Sequence, residues 1–297
     1  MRDLVFVIIN YNTSKLTKRL VKNIKDYKSI SKIIIVDNAS TDNSYKVLKK
    51  LESDRLEVVK ADTNKGFSAG MNIGVKRAIE LYGKCDIILS NTDIVISTEE
   101  TITTLQENLK MRKVAVASPV VFQQNMISRG WKIPTVKEEM LINLPVIGKK
   151  FQKKYMDYDE DHYKGKYSYV EAVSGCFFMI KSEAIKRINY FDENVFLYYE
   201  ENILGEKLKN VGYDLIVCND VVIIHDHSVS IDHNVGTINK FKILKESQRY
   251  FEKKYHYATE KEIKRLKFTS DLTLLTIYLR VFLKGGFKNE RNYFSRG

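Results

Sequence analysis

Short runs rich in valine and isoleucine punctuate the first 118 residues: LVFVIIN (4–10), KIIIVD (32–37), LEVVK (56–60), CDIILSN (85–91) and VAVAS (114–118). Runs this continuously apolar suit strands buried on both faces. Between them the apolar spacing changes to that of helices. Leu16, Leu20, Ile24 and Tyr27 share one face, Val47, Leu48 and Leu51 a second, and Met71, Val75, Ala78, Ile79 and Tyr82 a third. Strand, helix, strand, repeated, predicts an α/β chain with a mostly parallel central sheet flanked by helices and joined by right-handed crossovers. Ligands in such sheets collect beyond the carboxyl ends of the strands.

The pattern dissolves between about 122 and 168, where KKFQKKYMDYDEDHYKGKYS is polar, charged and tyrosine-rich, and the sequence predicts a loop or lid. Apolar runs return at VSGCFFMIK (173–181) and DLIVCNDVVIIH (214–225). The stretch EENILGEKLKNVGY between them predicts a helix closed by Gly212. Helical patterns resume after Ile238. The last apolar run, DLTLLTIYLRVFLKGG (271–286), contains Arg280 and is too short and interrupted to span a bilayer about 30 Å thick.

Charge is distributed unevenly. Residues 239–297 carry 15 Lys or Arg against 6 Asp or Glu, a net of +9, out of +12 for all 297 residues. That tail implies an anionic partner, a membrane or a nucleic acid. Phe241, Leu244, Gln248, Phe251 and Tyr255 fall along one helical face among Lys and Arg, which favours an anionic membrane surface over nucleic acid. Packing on the core, or a homodimer contact, would use the same face. Cys85, Cys176 and Cys218 are widely spaced and odd in number, which fits a reducing cytoplasm and excludes a disulfide framework. The first apolar run is too short for a signal peptide core.

Polar residues stand at four predicted strand ends: NYN (10–12), VDNASTDNS (36–44), NKGFSAGMN (64–72) and SNTD (90–93). Turn chemistry alone explains any one of them. Their convergence on one sheet edge is harder to explain that way. Neither a GxxxxGK[ST] phosphate loop nor a spaced GxGxxG is present, which argues against an NTPase or a dehydrogenase. A sugar nucleotidyltransferase would need a glycine- and Lys- or Arg-bearing loop after the first strand, where this chain has NYNTSKL.

The order VIINYN, IVDNASTDNS, NKGFSAGMNIG, LSNTDI, SGCFFMIK, FDENVFLYYEEN and IIHDHSVS resembles the family 2 glycosyltransferases, in the flavour of rhamnosyltransferase-like enzymes of bacterial surface polysaccharides. The resemblance spans about residues 4–231 and implies a GT-A fold with a Rossmann-like sheet. It divides the chain into a catalytic domain at 1–237, with a nucleotide-sugar half at 1–120 and an acceptor half at 121–237. A basic helical region follows at 238–297. It further implies an inverting enzyme on the inner face of the cell membrane. Its donor would be a UDP- or dTDP-linked sugar, and its acceptor a glycan or a polyprenyl-diphosphate-linked saccharide.

Residue by residue, the family's Asp-x-Asp element falls on Asn91, Thr92 and Asp93. Asp93 is then the carboxylate for Mg²⁺ or Mn²⁺, and Asn91 contributes no charge. Asp37 would accept from the base imide or else cap the next helix, with Asn10 and Tyr11 beside the base. Asn64, Gly66 and Asn72 fall near ribose and diphosphate, and Gly175 under the donor sugar or in a β-bulge. Glu200 and Glu201 match the family's acidic pair, Glu201 ahead of Glu200 as the base that takes the acceptor proton, or else both simply oppose the positive end of a helix dipole. His225, and more weakly His227, would reach the metal or diphosphate, or else be structural. Trp131 would stack on the acceptor or anchor a loop. The rival reading is a nucleotide-sugar binder without activity.

Overall fold

The structure is a computed structural model describing residues 2–226 and 236–283. Four of the five early runs form β1 (Leu4–Asn10), β2 (Lys32–Asp37), β3 (Leu56–Lys60) and β4 (Asp86–Ser90), which lie parallel in the order β3-β2-β1-β4. The helices that connect them are α1 (Ser14–Ile24), α2 (Ser44–Lys49) and α3 (Phe67–Tyr82). Every residue of β1 is buried, as its unbroken apolar sequence requires. Leu4, Phe6 and Ile8 face one core with α1, α2 and α4 (Glu100–Leu109). Val5, Val7 and Ile9 face a second core with α3.

Beyond β4 the sheet becomes mixed. β5 (Ile94–Ile96) is a short strand after the Asn-Thr-Asp turn, and β6 (Val114–Gln123) runs five residues past the apolar VAVAS stretch. β9 (Phe177–Lys181) lies antiparallel between β4 and β6. β10 (Asp214–His225) then runs parallel to β6 and antiparallel to β5. The helices α7 (Ser182–Arg187) and α8 (Glu200–Asn210) complete the second core. Gly212, with φ of 79°, ends α8 as expected.

The region expected to be loop between 122 and 168 is largely ordered into regular elements. It holds β7 (Met126–Ser128), α5 (Val136–Ile142), α6 (Gly148–Met156) and β8 (Tyr167–Val170). Thr135 and Glu138 close a reciprocal capping box that starts α5. With only 7 and 9 residues, α5 and α6 are too short to display helical periodicity.

The C-terminal helices α9 (Thr237–Tyr255) and α10 (Glu260–Leu283) pack on α8 and α5, respectively, and on each other. The amphipathic α9 face expected to meet a membrane points largely inward. Gln248 and Phe251 are wholly buried, and Phe251 packs with Val195 and Ile203. Asp192 clamps the end of α9, accepting from Tyr250 Oη (2.8 Å), Lys254 Nζ (2.8 Å) and Tyr255 Oη (2.6 Å). Among the described residues no helix is long and apolar enough to cross a membrane.

Candidate active site

A cavity of about 340 Å³ opens where the strands end at their carboxyl termini. On one side it is walled by Tyr11 and Thr13 after β1, by Asn38 after β2, and by Asn64 and Gly66 before α3. Gly66 has φ of 101°, and a Cβ there would sit 2.3 Å from the carbonyl oxygen of Phe196. Asn38 donates to Asn64 Oδ1 (3.2 Å) and to the Gly66 carbonyl (3.1 Å), joining two strand ends.

Asn10 and Asp37 lie beneath this wall, wholly buried. Asn10 Nδ2 donates to Asp37 Oδ2 (2.9 Å), and the Ser40 backbone N–H donates to Asp37 Oδ1 (3.1 Å). Asp37 therefore ties the end of β2 to β1 and to the following turn. Asn72 is also outside the cavity lining. It exchanges hydrogen bonds with the Phe191 backbone and donates to Glu193 Oε1 (2.7 Å), latching α3 to the FDEN loop. Trp131 lies away from the cavity as well, donating to Asn202 Oδ1 (2.9 Å).

Asn91, Thr92 and Asp93 also line the cavity, and Thr92 Oγ1 donates to Thr13 Oγ1 (3.1 Å). The Asn91 N–H donates to the Cys176 carbonyl (2.8 Å), which fixes the turn against the start of β9. Asp93 Oδ1 lies 3.1 Å from His225 Nε2 at the end of β10, and His225 Nδ1 donates to Gln123 Oε1 at 3.0 Å. Gln123 thus fixes the ring so that Nε2 faces Asp93. Burial disfavours the imidazolium, yet hydrogen bonds to Asp93 and Cys176 outweigh it and push His225 up to about 10. His227 lies outside the described residues.

Among the described residues no group of three or more His, Cys, Asp or Glu side chains forms a metal cage. One carboxylate and one imidazole nevertheless converge on the cavity wall. Mg²⁺ and Mn²⁺ accept such sparse protein ligation when substrate phosphates and water complete the shell. The donor set fits a divalent ion that arrives with a diphosphate.

Helix α8, whose first two residues also line the cavity, begins after two consecutive left-handed residues, Tyr198 (φ 70°) and Tyr199 (φ 67°). Each such conformation costs about 1–3 kcal/mol for a non-glycine residue. The Tyr199 hydroxyl donates to buried Glu139 Oε1 (2.6 Å), and Gln248 Nε2 donates to Glu139 Oε2 (2.6 Å), so α5 and α9 hold the strained turn. The turn aims Glu200 and Glu201 into the cavity. Glu201 Oε1 accepts from the Gly175 N–H at 3.1 Å, whereas Glu200 Oε2 has no partner among the described residues. A Cβ on Gly175 would lie 2.6 Å from Glu201 Oε1. Burial, then the charge of Glu201, drives Glu200 well above the usual carboxylate range. Burial also raises Glu201, opposed by backbone N–H donors.

Asn38, Gln123, Tyr198 and Ile243 also wall the cavity and were not singled out in the sequence. Asn38 and Tyr198 are neighbours of residues that were. Gln123 and Ile243 carry no local signal, since tertiary packing alone brings β6 and α9 to the site.

Comparison with known proteins bears on the family and the fold. The chain is similar to the low-salt glycan biosynthesis hexosyltransferase Agl10 of Haloferax volcanii, 22% identical over 231 residues, covering 76% of this chain and 68% of the relative. A shorter stretch of 93 residues is 33% identical to the UDP-N-acetylglucosamine–dolichyl-phosphate N-acetylglucosaminyltransferase of Methanococcus voltae, 26% of this chain and 37% of that protein. The fold is similar to that of mannosyltransferase PcManGT from Pyrobaculum calidifontis, solved with GDP-Man and Mn²⁺. Its TM-score is 0.57 at 14% identity, over 97% of this chain and 79% of that one. GalNAc-T7, solved with UDP, GalNAc and Mn²⁺, gives a TM-score of 0.60 at 13% identity, over 96% and 58% of the two chains. These neighbours share the GT-A fold. The family model described as glycosyl transferase family 2 matches residues 5–188, more than half of the sequence, and the chain belongs to that family.

Proposed function

We propose that this protein is an inverting, metal-dependent glycosyltransferase. It moves a hexose, rhamnose among the candidates, from a UDP- or dTDP-linked donor to a glycan or polyprenyl-diphosphate-linked acceptor in cell-surface polysaccharide synthesis. The observation that carries this reading is that one cavity is lined both by Asp93 with His225 and by Glu200 with Glu201. The hexosyltransferase and dolichyl-phosphate relatives support the substrate classes.

The chemistry follows from the walls. Tyr11, Asn38, Asn64 and Gly66 present polar and backbone groups suited to a nucleotide. Gly175 leaves room beside Glu201 for a sugar ring. The acceptor hydroxyl gives its proton to Glu201 while its oxygen bonds the anomeric carbon. The opposite carbon–oxygen bond breaks, and its electron pair leaves with the diphosphate. Burial raises both carboxyl groups, and the Gly175 N–H donates to Glu201, which favours Glu201 as the ionised base and Glu200 as the holder of the shared proton. A divalent ion at Asp93 and His225 would supply neutralisation of the leaving diphosphate charge. The proposed site of action is the inner face of the cell membrane, where a lipid-linked acceptor is presented.

The test is a thermal-shift screen of nucleotide sugars with and without Mn²⁺, followed by an assay for released nucleoside diphosphate. A cognate donor at about 100 times its Kd stabilises the fold by about 2.7 kcal/mol. Asp93→Asn is expected to lose the Mn²⁺-dependent part of the shift. A donor-independent melting point throughout the screen, with no nucleotide release, overturns the reading.

A further inference from the structure

The outer face of α10 holds an apolar stripe. Phe268, Leu275, Leu279 and Phe282 are 63%, 58%, 54% and 67% exposed. At 100° per residue they fall within an arc of about 60° and extend about 21 Å along the helix. The opposite face is occupied: Leu266 and Ser270 are buried, and Thr273 Oγ1 donates to the Asn143 carbonyl at 2.6 Å. The protein therefore covers one side of the helix around Leu266, Ser270 and Thr273, while the apolar stripe on the other side stays exposed. A helix of that composition is stable when both sides leave water.

Charge selects the cover. Lys261, Lys264 and Arg265 continue the same stripe toward the start of α10, and all three are exposed. In sequence, Lys284, Lys288, Arg291 and Arg296 follow its other end, against a single acid, Glu290. A second copy of the chain would bring cations against cations if the two helices ran parallel, and if antiparallel would offer only α10 acids already bonded to Lys253, Thr259 and Lys267. Nucleic acid would satisfy the cations and leave the stripe in water. An anionic bilayer surface satisfies both, since apolar side chains enter the acyl boundary while Lys and Arg meet headgroups.

We propose that α10 lies on an anionic membrane through Phe268, Leu275, Leu279 and Phe282, with Lys261, Lys264 and Arg265 at the headgroups. This moves the membrane contact off α9, whose apolar face the core already uses. The inference rests on the proposed function only for the reason to dock, a lipid-linked acceptor.

The test is vesicle co-sedimentation of the full chain without donor or acceptor, on phosphatidylcholine alone and with about one third phosphatidylglycerol. Wild type is expected to bind the anionic vesicles, and less so as salt rises. Leu275→Gln with Leu279→Gln, checked for unchanged circular dichroism, is expected to bind at least about tenfold less to both compositions. Lys261→Gln, Lys264→Gln and Arg265→Gln together are expected to lose about fivefold per cation on anionic vesicles only. Glu201→Gln is expected to bind as wild type, so a failed enzymatic reading and a failed docking reading give different results. Absence of wild-type binding, or undiminished binding by the leucine double variant, overturns the proposal. So does a dimer that the double variant converts to monomer in lipid-free light scattering, which assigns the face to a second copy.

Discussion

Glu200 is buried and its neighbour Glu201 partly so, and two carboxylates this close share a proton rather than ionise together. The Gly175 N–H chooses between them by donating to Glu201, leaving Glu200 Oε2 unmatched. Glu201→Gln is expected to lower kcat by about 10²–10⁴ while keeping the donor-induced thermal shift. Glu200→Gln imitates the protonated partner and is expected to cost far less; the reverse ranking in a rate assay would move the base to Glu200. Gly175→Ala is expected to act like a weaker Glu201 variant, because its Cβ displaces the Glu201 carboxylate. The pH dependence has a definite sign. Both carboxyl groups are raised in the folded protein, so the ionised base is lost as pH falls through a value above the ordinary glutamate range. The acid limb of kcat/KM is therefore expected above that range. The same raised values make the folded state relatively more stable at low pH, a contribution lost as pH rises.

Element α8 owes its direction to a strained entry that other elements hold in place. Tyr199 is left-handed, and its hydroxyl bonds Glu139 of α5, which in turn accepts from Gln248 of α9. Tyr199→Phe leaves a buried acceptor unmatched and is expected to cost about 1–3 kcal/mol in urea unfolding. It is also expected to lower kcat about tenfold with little change in donor affinity, since the base loses alignment and the donor wall does not. A variant that is destabilised with unchanged kcat would make Tyr199 structural only. The contributors to this arrangement differ in how far the sequence revealed them. The strands β1 to β4 were legible because buried parallel strands leave unbroken Val and Ile runs. Asp93 stood out because it follows the end of the β4 run, and the acidic pair only through the resemblance of FLYYEEN to the family's motif. Helix α5 was not legible, although Thr135 and Glu138 carried the capping-box signal; its seven residues give too few turns for a periodic face. The partners of Asn72 and Trp131 were not legible either. Both fall within motif-like stretches, yet their side chains bond Phe191, Glu193 and Asn202, partners set only by the tertiary fold.

At the scale of the whole molecule, the basic C-terminal region divides into two helices with different duties. The sequence shows one amphipathic basic tail, because a face that packs on a core and a face that meets a membrane have the same periodicity. Burial separates them: α9 contributes Ile243 to the cavity, Phe251 to a satellite core and Gln248 to the buried polar network. The family match ends at residue 188, before any of these. Truncation after residue 236 keeps every motif of the family match and nevertheless exposes the apolar surface under Phe251 and removes the α9 donors of Glu139 and Asp192. Each of those carboxylates keeps one donor residue outside α9 and loses the rest, so the shortened chain is expected to lose cooperative unfolding and donor-induced stabilisation together. A milder probe is Asp192→Ala, which removes the acceptor for Tyr250, Lys254 and Tyr255 at once. It is expected to cost about 1–3 kcal/mol of unfolding free energy and to loosen α9 without touching the cavity. If the truncated chain instead melts cooperatively and retains the full donor-dependent shift, α9 is an appendage to a self-sufficient catalytic fold.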